Sequence, residues 1–164
     1  MSENELVSNT IITGERNYAA ALDLVIAEAK HELLIFDQDF ARGDYASLTR
    51  FNLIYAFLNN NPLSKLTIIL HSADFFSAHC PRLYELLETY GHKMTVFETN
   101  DHAKIAKDCF VLADKQHYLR RFHTDQARFK YALNDMETTA SLAMRFDELM
   151  EETTKAISVS KLGL

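Results

Sequence analysis

Residues 65–71 spell Lys-Leu-Thr-Ile-Ile-Leu-His, an almost continuous apolar run of the kind that forms a strand buried on both faces of a sheet. The run Glu32 to Phe36, which is Glu-Leu-Leu-Ile-Phe, has the same character, and Lys93 to Glu98 predicts a further strand. Apolar residues at helical spacing precede each run and predict helices at about 14–30, 44–60 and 81–90. This alternation of helices and strands is typical of parallel strands joined by crossover helices.

The second half of the chain predicts antiparallel pairing. Two strand-like runs, Cys109 to Asp114 and His117 to Phe122, are separated by two residues, which is the spacing of a tight hairpin. Ala127 to Asn134 alternates apolar and polar side chains, as a half-exposed strand does. Asn134 or Asp135 then caps a last helix, whose core face is formed by Leu142, Phe146, Leu149 and Met150.

We therefore expect an α/β fold with a mixed, mostly parallel central sheet flanked by helices, followed by a C-terminal hairpin, a strand and a final helix. No repeat or interior linker divides the chain, so residues 1–164 are expected to form a single domain. The two ends, residues 1–13 and 155–164, are expected to be loose. Asp44 is the predicted N-cap of the second helix, and Pro81 lies in the first turn of the third.

The composition is that of a globular protein, because 48% of the 164 residues are hydrophobic and 24% are charged. The formal net charge of -6 disfavours non-specific nucleic-acid binding, since an acidic surface repels phosphate backbones. The two cysteines, Cys80 and Cys109, are too few for a disulfide scaffold, which fits a reducing compartment. The first residues show no basic region followed by an apolar one, and no apolar run reaches membrane-spanning length, so we expect a cytoplasmic protein without a secretory leader.

The order of elements, with His102-Ala103-Lys104 just after the third strand, resembles one repeat of the phospholipase D superfamily. More closely, the chain resembles a family of small uncharacterised bacterial proteins that share this fold in degenerate form. The resemblance covers about residues 15–152 and rests on short stretches in matching order: Ile35-Phe36 with Asp39, Arg82-Leu83, Phe110 to Asp114, Leu119-Arg120, and Phe146 to Leu149. It implies a phospholipase D-like fold.

Phospholipase D enzymes use a His-x-Lys motif followed by four residues and an Asp, in which the His attacks a phosphodiester and the Lys holds phosphate oxygens. The motif is broken here in both possible alignments. Taking His102 and Lys104 as its first members leaves only three residues before Asp108, one too few. Taking Asp114 as its last member, because it ends the following strand, puts a lysine and a cysteine where His and Lys belong.

Residues 101–130 carry seven basic and four acidic residues, a local excess of positive charge in an acidic chain. They include Tyr118 to Arg121, which stand where the resembling enzymes have Gly-Ser. Arg120 and Arg121 are neighbours on one strand and therefore point to opposite faces. One of them faces the interior, where it needs a carboxylate, a carbonyl or a bound anion. The segment is thus either a set of internal ion pairs or an oxyanion site.

The candidate ligand-binding residues are Arg82, Arg120, Asp39 and Asp114, and the candidate catalytic residues are His102, Lys104 and Asp108. No cofactor or metal is expected. The seven histidines have no zinc-site spacing, and phosphate-loop and serine-hydrolase motifs are missing. Asp37 and Asp39 on an extended segment could hold Mg²⁺, but one of them capping a turn is the preferred interpretation.

Three function hypotheses follow. The first is a non-catalytic, degenerate phospholipase D-like domain that binds an anionic small molecule or a phosphodiester. The second is a metal-independent phosphodiesterase or nuclease, in which each subunit of a homodimer supplies one His102 to a shared site. The third is a protein–protein interaction module that uses the acidic faces and the aromatic residues of the chain.

Overall fold

The structure, a computed structural model, describes residues 6–158 apart from the side chain of Lys155. Its strands are β1 (Ile12–Thr13), β2 (Glu32–Asp37), β3 (Lys65–Leu70), β4 (Met94–Thr99), β5 (Cys109–Ala113), β6 (His117–His123), β7 (Gln126–Ala132) and β8 (Thr153–Ile157). Its α-helices are α1 (Glu15–Ala27), α2 (Leu48–Asn60), α3 (Asp74–His79), α4 (Pro81–Thr89) and α5 (Met136–Met150), and a 3-10 helix spans Asp101–Ile105. Three helices therefore alternate with strands as the sequence predicts, and α3 is an additional short helix.

All eight strands form one sheet in the order β1-β7-β6-β5-β2-β3-β4-β8. Only the β2–β3 and β3–β4 pairs of this sheet are parallel, and the pairs β1–β7, β2–β5, β4–β8, β5–β6 and β6–β7 are antiparallel. The mixed α/β architecture is confirmed, but the expectation of a mostly parallel sheet is wrong. The crossover helices make parallel neighbours of β2, β3 and β4, whereas the short connections between β5, β6 and β7 permit only antiparallel hairpins.

Helices cover both faces of the sheet, so its central strands are buried on both sides. Leu33 and Ile35 of β2 pack with α1, α2 and α4, while Leu34 and Phe36 point the other way and pack with α5. This alternation explains why β2 is a continuous apolar run: both faces of the strand need apolar side chains. α5 contacts β4, β5 and β6, and thus lies over the middle of the sheet face that carries Leu34 and Phe36.

Helix α2 begins later than predicted. Ser47 is its N-cap and accepts a hydrogen bond from the Arg50 N–H, whereas Asp44 adopts a left-handed conformation in the preceding loop. The prediction of Asp44 as the cap is therefore wrong. Asp135 caps α5 through the Thr138 N–H, as one of the two predicted alternatives, and Pro81 occupies the start of α4.

The expected loose ends are partly ordered. Ile12 and Thr13 pair with β7, and Thr153–Ile157 form β8 along the free edge of β4. Both segments are too short or too polar to stand out in the sequence, and pairing with an existing strand is what orders them. The rest of this expectation, for residues 1–5 and 159–164, lies outside the described residues. No helix within residues 6–158 has the length and apolar character needed to cross a membrane.

Candidate functional site

Asp108, just before β5, shares its buried carboxylate between two arginines. Arg120 on β6 donates from Nε to Oδ2 at 2.9 Å, and Arg145 on α5 donates through Nη1 to Oδ2 and through Nη2 to Oδ1 at 3.0 Å. The Asp108 side chain is 6% exposed, whereas those of Arg120 and Arg145 are 37% and 35% exposed. We call these three residues the Asp108 cluster. It carries one negative charge beneath two positive ones that reach the surface.

The electrostatics of the cluster keep Asp108 ionised. Burial by itself would raise the pKa of this carboxyl, but the hydrogen bonds from Arg145 and then Arg120 outweigh burial and lower the pKa. The same contact with Asp108 raises the pKa of Arg145, with burial opposing it. The cluster therefore retains a net positive charge across the physiological pH range.

Arg120 is only partly satisfied by its partner. Its guanidinium uses Nε for Asp108 and lies 5.3 Å from the centre of the Phe122 ring, and within residues 6–158 its two Nη atoms have no hydrogen-bond partner. Arg145, in contrast, uses both Nη atoms on Asp108. Asp108 and Phe122 thus fix the guanidinium of Arg120 and leave its terminal N–H groups free to bind an anion.

Arg121 lies on the opposite face of the sheet and is entirely structural. Its side chain is fully buried, and its Nη1 and Nη2 donate to the two carboxylate oxygens of Glu15 at 2.8 Å each. It also donates to the carbonyls of His123 and Thr124 and lies 4.7 Å from the centre of the Tyr18 ring. The prediction that an interior arginine must find a carboxylate, a carbonyl or a bound anion is met at Arg121 by a carboxylate and two carbonyls.

His102 and Lys104 lie on the 3-10 helix and do not converge with Asp108. His102 is exposed and makes no hydrogen bond or ion pair within the described part of the chain. The Lys104 Nζ donates to the Thr99 carbonyl at 3.2 Å and lies 3.8 Å from Asp101. Asp108 is occupied by its arginines, so the three candidate catalytic residues form no acid–base or nucleophile–base pair.

The chain segment that leads into β5 is clamped by two side chains from the ends of β2 and β3. Gln38 donates to the carbonyls of Ala106 and Asp108, each at 3.0 Å. His71 contacts the Ala106 carbonyl through Nε2 at 2.8 Å and Thr99 Oγ1 through Nδ1 at 2.7 Å. Because a carbonyl only accepts, Nε2 carries the proton and Nδ1 accepts from Thr99. Burial lowers the pKa of His71, which keeps it in this neutral form.

Asp37 ends β2 as a buried acid and shapes the loop after it. Its Oδ2 accepts from the N–H groups of Phe40 at 2.7 Å and Asp39 at 3.3 Å. Burial raises the pKa of Asp37 to about 6, with the Phe40 bond opposing the shift. Asp39 in turn accepts from the Ala41 N–H at 2.9 Å. Both carboxylates therefore serve the turn, whereas the preferred interpretation predicts this role for one of them.

The other candidate ligand-binding residues make no polar contact with Arg120 in the described part of the chain. Asp114 sits at the turn of the β5–β6 hairpin and accepts from the N–H groups of Lys30, His31 and Glu32 at 2.8–3.0 Å, which anchors the start of β2. Arg82 is exposed at the start of α4, on the opposite face of the sheet from Arg120. Within the described residues, none of Arg82, Asp39 and Asp114 makes a hydrogen bond or an ion pair with the Asp108 cluster.

Residues 6–158 contain neither a cluster of metal-binding side chains nor a reactive thiol. Within residues 6–158, no three His, Cys, Asp or Glu side chains lie close enough together to hold a metal ion. Burial raises the pKa of the Cys80 thiol to about 11 and that of Cys109 well above its usual value. Both thiols therefore stay protonated at neutral pH and are poor nucleophiles.

Residues 14–162 match the sequence profile of a family described as a domain of unknown function, DUF7931. The chain belongs to this family. No curated protein sequence matches the chain.

The DUF7931 chain has a phospholipase D-like fold. Nuc from Salmonella typhimurium, a phospholipase D family member, matches with a TM-score of 0.66 and 10% identity over 93% of this chain and 99% of its own. NucT from Helicobacter pylori matches with a TM-score of 0.56 and 14% identity over 90% and 98%. TrmBL2, an archaeal chromatin protein that binds DNA, matches with a TM-score of 0.68 and 15% identity over 93% of this chain and 56% of TrmBL2. The DUF7931 chain therefore spans little more than half of TrmBL2.

Sequence reasoning missed Arg145, which completes the Asp108 cluster. The basic segment that the sequence indicates ends at residue 130, and Arg145 lies beyond it in a helix that the sequence predicts from its apolar face. Its position gives a usable signal: it is three residues after Leu142 and one before Phe146, at the flank of the buried stripe of α5. A long cationic side chain at such a flank can reach over the sheet to a buried carboxylate.

Proposed function

We propose that this DUF7931 chain is a non-catalytic, degenerate phospholipase D-like domain that binds an anionic or phosphorylated ligand at the Asp108 cluster. The carrying observation is that Asp108 fixes Arg120 through Nε and leaves its two Nη atoms without partners in the described residues. A fixed guanidinium fork suits the oxygens of a phosphate or carboxylate, because both N–H groups can bind at once. Arg145 adds a second positive charge beside it.

The geometry gives no support to phosphodiester hydrolysis through His102. A nucleophilic histidine needs a neighbour that orients and activates it, and His102 has no hydrogen-bond partner within residues 6–158. Asp108 is the acid that follows His102 and Lys104 in the broken motif, and its carboxylate binds two arginines. Binding without turnover is therefore the function that we propose.

The test is titration of the purified protein with inorganic phosphate and with tungstate, followed by isothermal calorimetry. We expect saturable binding that Arg120→Gln weakens roughly tenfold, because it removes a charge-assisted hydrogen bond. Arg82→Gln removes the same charge from the other face of the sheet and is the matched control, for which we expect unchanged binding. Crystals soaked with tungstate should show the anion on Arg120.

Two results would overturn the proposal. One is no binding of either anion at millimolar concentration. The other is an equal loss of affinity in Arg120→Gln and Arg82→Gln, which would indicate attraction to total charge without a site. Turnover of bis(p-nitrophenyl) phosphate that His102→Ala abolishes would replace the proposal with the phosphodiesterase hypothesis.

A further inference from the structure

Arg120 has a second cation directly opposite it on the next strand. In the β6–β7 pairing, Arg120 is the partner of Lys130, so both side chains lie on the same face of the sheet. Like charges directly opposite each other on neighbouring strands repel and destabilise the pair. An anion placed between them would convert this repulsion into two attractive contacts. The pairing therefore points to a ligand whose negative charge extends beyond Arg120.

The ring of Phe122 extends the same surface, because the guanidinium groups of two arginines lie near it. The guanidinium carbon of Arg120 lies 5.3 Å from the centre of its ring, and that of Arg128 on β7 lies 5.9 Å away. Lys130 and Arg128 form no ion pair within the described residues, and the nearby Asp125 interacts with Arg42 and His123. Four cationic side chains thus follow one another across α5, β6 and β7. We call them the cationic strip: Arg145, Arg120, Lys130 and Arg128.

Acidic groups neutralise only one end of the cationic strip. Asp108 binds Arg120 and Arg145 from below, and Glu148 lies near Arg145 on α5. The β7 end, with Lys130 and Arg128, has no such partner in the part of the chain that the structure describes. Neighbouring strands are about 4.8 Å apart, so cations on β6 and β7 can face successive groups of one extended anion.

We propose that the cationic strip binds an oligophosphate, a ligand with at least two consecutive phosphate groups. One phosphate lies on Arg120 and Arg145, and the next lies between Arg120 and the β7 cations. This inference rests on the proposed function, because it extends the same anion site along the sheet. The phosphate chain can be free or can belong to a nucleotide, since the strip recognises the chain itself.

The experiment compares calorimetric affinities for orthophosphate, pyrophosphate and tripolyphosphate at one ionic strength. We expect the native chain to bind tripolyphosphate at least tenfold more tightly than orthophosphate. The double variant Arg128→Gln/Lys130→Gln should lose that difference, because its tripolyphosphate affinity should fall much more than its orthophosphate affinity. The matched control, Arg16→Gln/Lys65→Gln, has the same net charge but changes exposed cations on α1 and β3, and should behave like the native chain.

Equal affinities for the three phosphates would overturn the inference while leaving the proposed function in place, provided that Arg120→Gln still weakens orthophosphate binding. An equal loss of tripolyphosphate affinity in both double variants would also overturn it, since net charge alone would then explain the preference. Failure of every phosphate to bind would overturn the proposed function as well. ADP measured beside pyrophosphate separates the two sources: tighter binding of ADP indicates a nucleotide, and equal binding indicates the phosphate chain alone.

Discussion

Tyr45 carries a hydroxyl that is buried without a hydrogen-bond partner in the described structure. Its ring stacks on Phe40 with centroids 4.0 Å apart, and Arg50 lies 4.6 Å from the ring centre. Tyr45→Phe keeps both contacts and removes the unsatisfied group. We expect it to raise the free energy of unfolding by about 1 kcal/mol, measured by urea denaturation.

Tyr131→Phe is the matched control for this substitution. Its hydroxyl donates to the Leu6 carbonyl at 3.2 Å, so its removal should lower the free energy of unfolding by about 1 kcal/mol. Equal losses in the two variants would contradict the prediction and would mean that the Tyr45 hydroxyl is hydrogen-bonded in solution.

Asp37 gives the stability of the protein an unusual pH dependence. Burial raises its pKa to about 6 from 3.8, so between these values the folded state binds more protons than the unfolded state. The contribution of Asp37 to stability therefore falls as pH rises from about 4 to 6, and stays lower above that range. His71, whose pKa is lowered by burial, acts in the opposite direction, and does so equally in the native chain and in a variant of Asp37. Asp37→Asn should remove the fall and stabilise the protein at pH 7, by a few kcal/mol at most.

Urea denaturation from pH 4 to pH 8 tests this prediction, with Asp39→Asn as the control in the same loop. The carboxyls of Asp108 and Asp114, whose pKa values are lowered, titrate below this window and act in the opposite direction. An unchanged slope in Asp37→Asn would show that another group titrates there.

For single residues, the sequence predicts that a side chain needs a polar partner better than it predicts which residue that partner is. It shows that an arginine of the pair Arg120–Arg121 must face the interior, because strand geometry dictates opposite faces. It does not show that Glu15 is the partner of Arg121, since the two residues meet only through the docking of α1 on β6. The same limit hides the contact between Arg145 and Asp108.

Among the secondary-structure elements, β6 and α1 are joined by an ion pair between residues that lie 106 positions apart in the sequence. The Arg121 side chain is fully buried, while that of Glu15 is 56% exposed, and hydrogen bonds from Arg121 lower the pKa of Glu15. Glu15→Gln leaves the buried guanidinium without a counter-charge. We expect a loss of about 1–3 kcal/mol in the free energy of unfolding, less than for a pair buried on both sides.

Glu28→Gln is the control, because Glu28 is an exposed acid at the other end of α1. Thermal unfolding of both variants at neutral pH distinguishes the two positions. An equal loss of stability in both variants would mean that the loss of one negative charge from α1 explains the effect, and that the contact between Glu15 and Arg121 adds no stability of its own.

Elements with a strong local pattern could be predicted, and elements that depend on their neighbours could not. The β5–β6 hairpin follows from two apolar runs and the short connection between them, and α5 follows from its apolar stripe. In contrast, β1 has two residues and β8 reads Thr-Thr-Lys-Ala-Ile. The free edges of β7 and β4 turn these segments into strands.

For the whole molecule, β8 protects one edge of the sheet. It covers β4, whose Val96 is fully buried. A chain that ends at Glu152 exposes the edge of β4, and exposed edges pair with other chains. We expect this truncation to unfold at lower urea concentration than a chain that ends at Ser158, and to self-associate. Size-exclusion chromatography with light scattering measures the second effect, and a monodisperse truncated chain of native stability would contradict both expectations.

The sheet as a whole shows why its strand directions were mispredicted. The crossover helices and the β5–β6 hairpin are predicted correctly, yet the direction of the β2–β5 pair depends on how the hairpin docks, which no local pattern encodes. The same holds for the candidate site. Arg120 and Asp108 could be identified as candidates, whereas their grouping with Arg145 and the separation of Arg82 depend on which face each element covers.

The central position of β2 also has a consequence for protein synthesis. Its neighbour β3 is the next strand along the chain. Its other neighbour, β5, comes much later in the sequence and pairs with β2 through residues such as Leu112, opposite Leu34. While the ribosome makes the chain, β2 and β3 can pair well before β5 is translated, because β3 ends at Leu70 and β5 begins only at Cys109. Until β5 is made, the edge of β2 that pairs with β5 is unpaired and apolar. The nascent chain most needs a chaperone during this period.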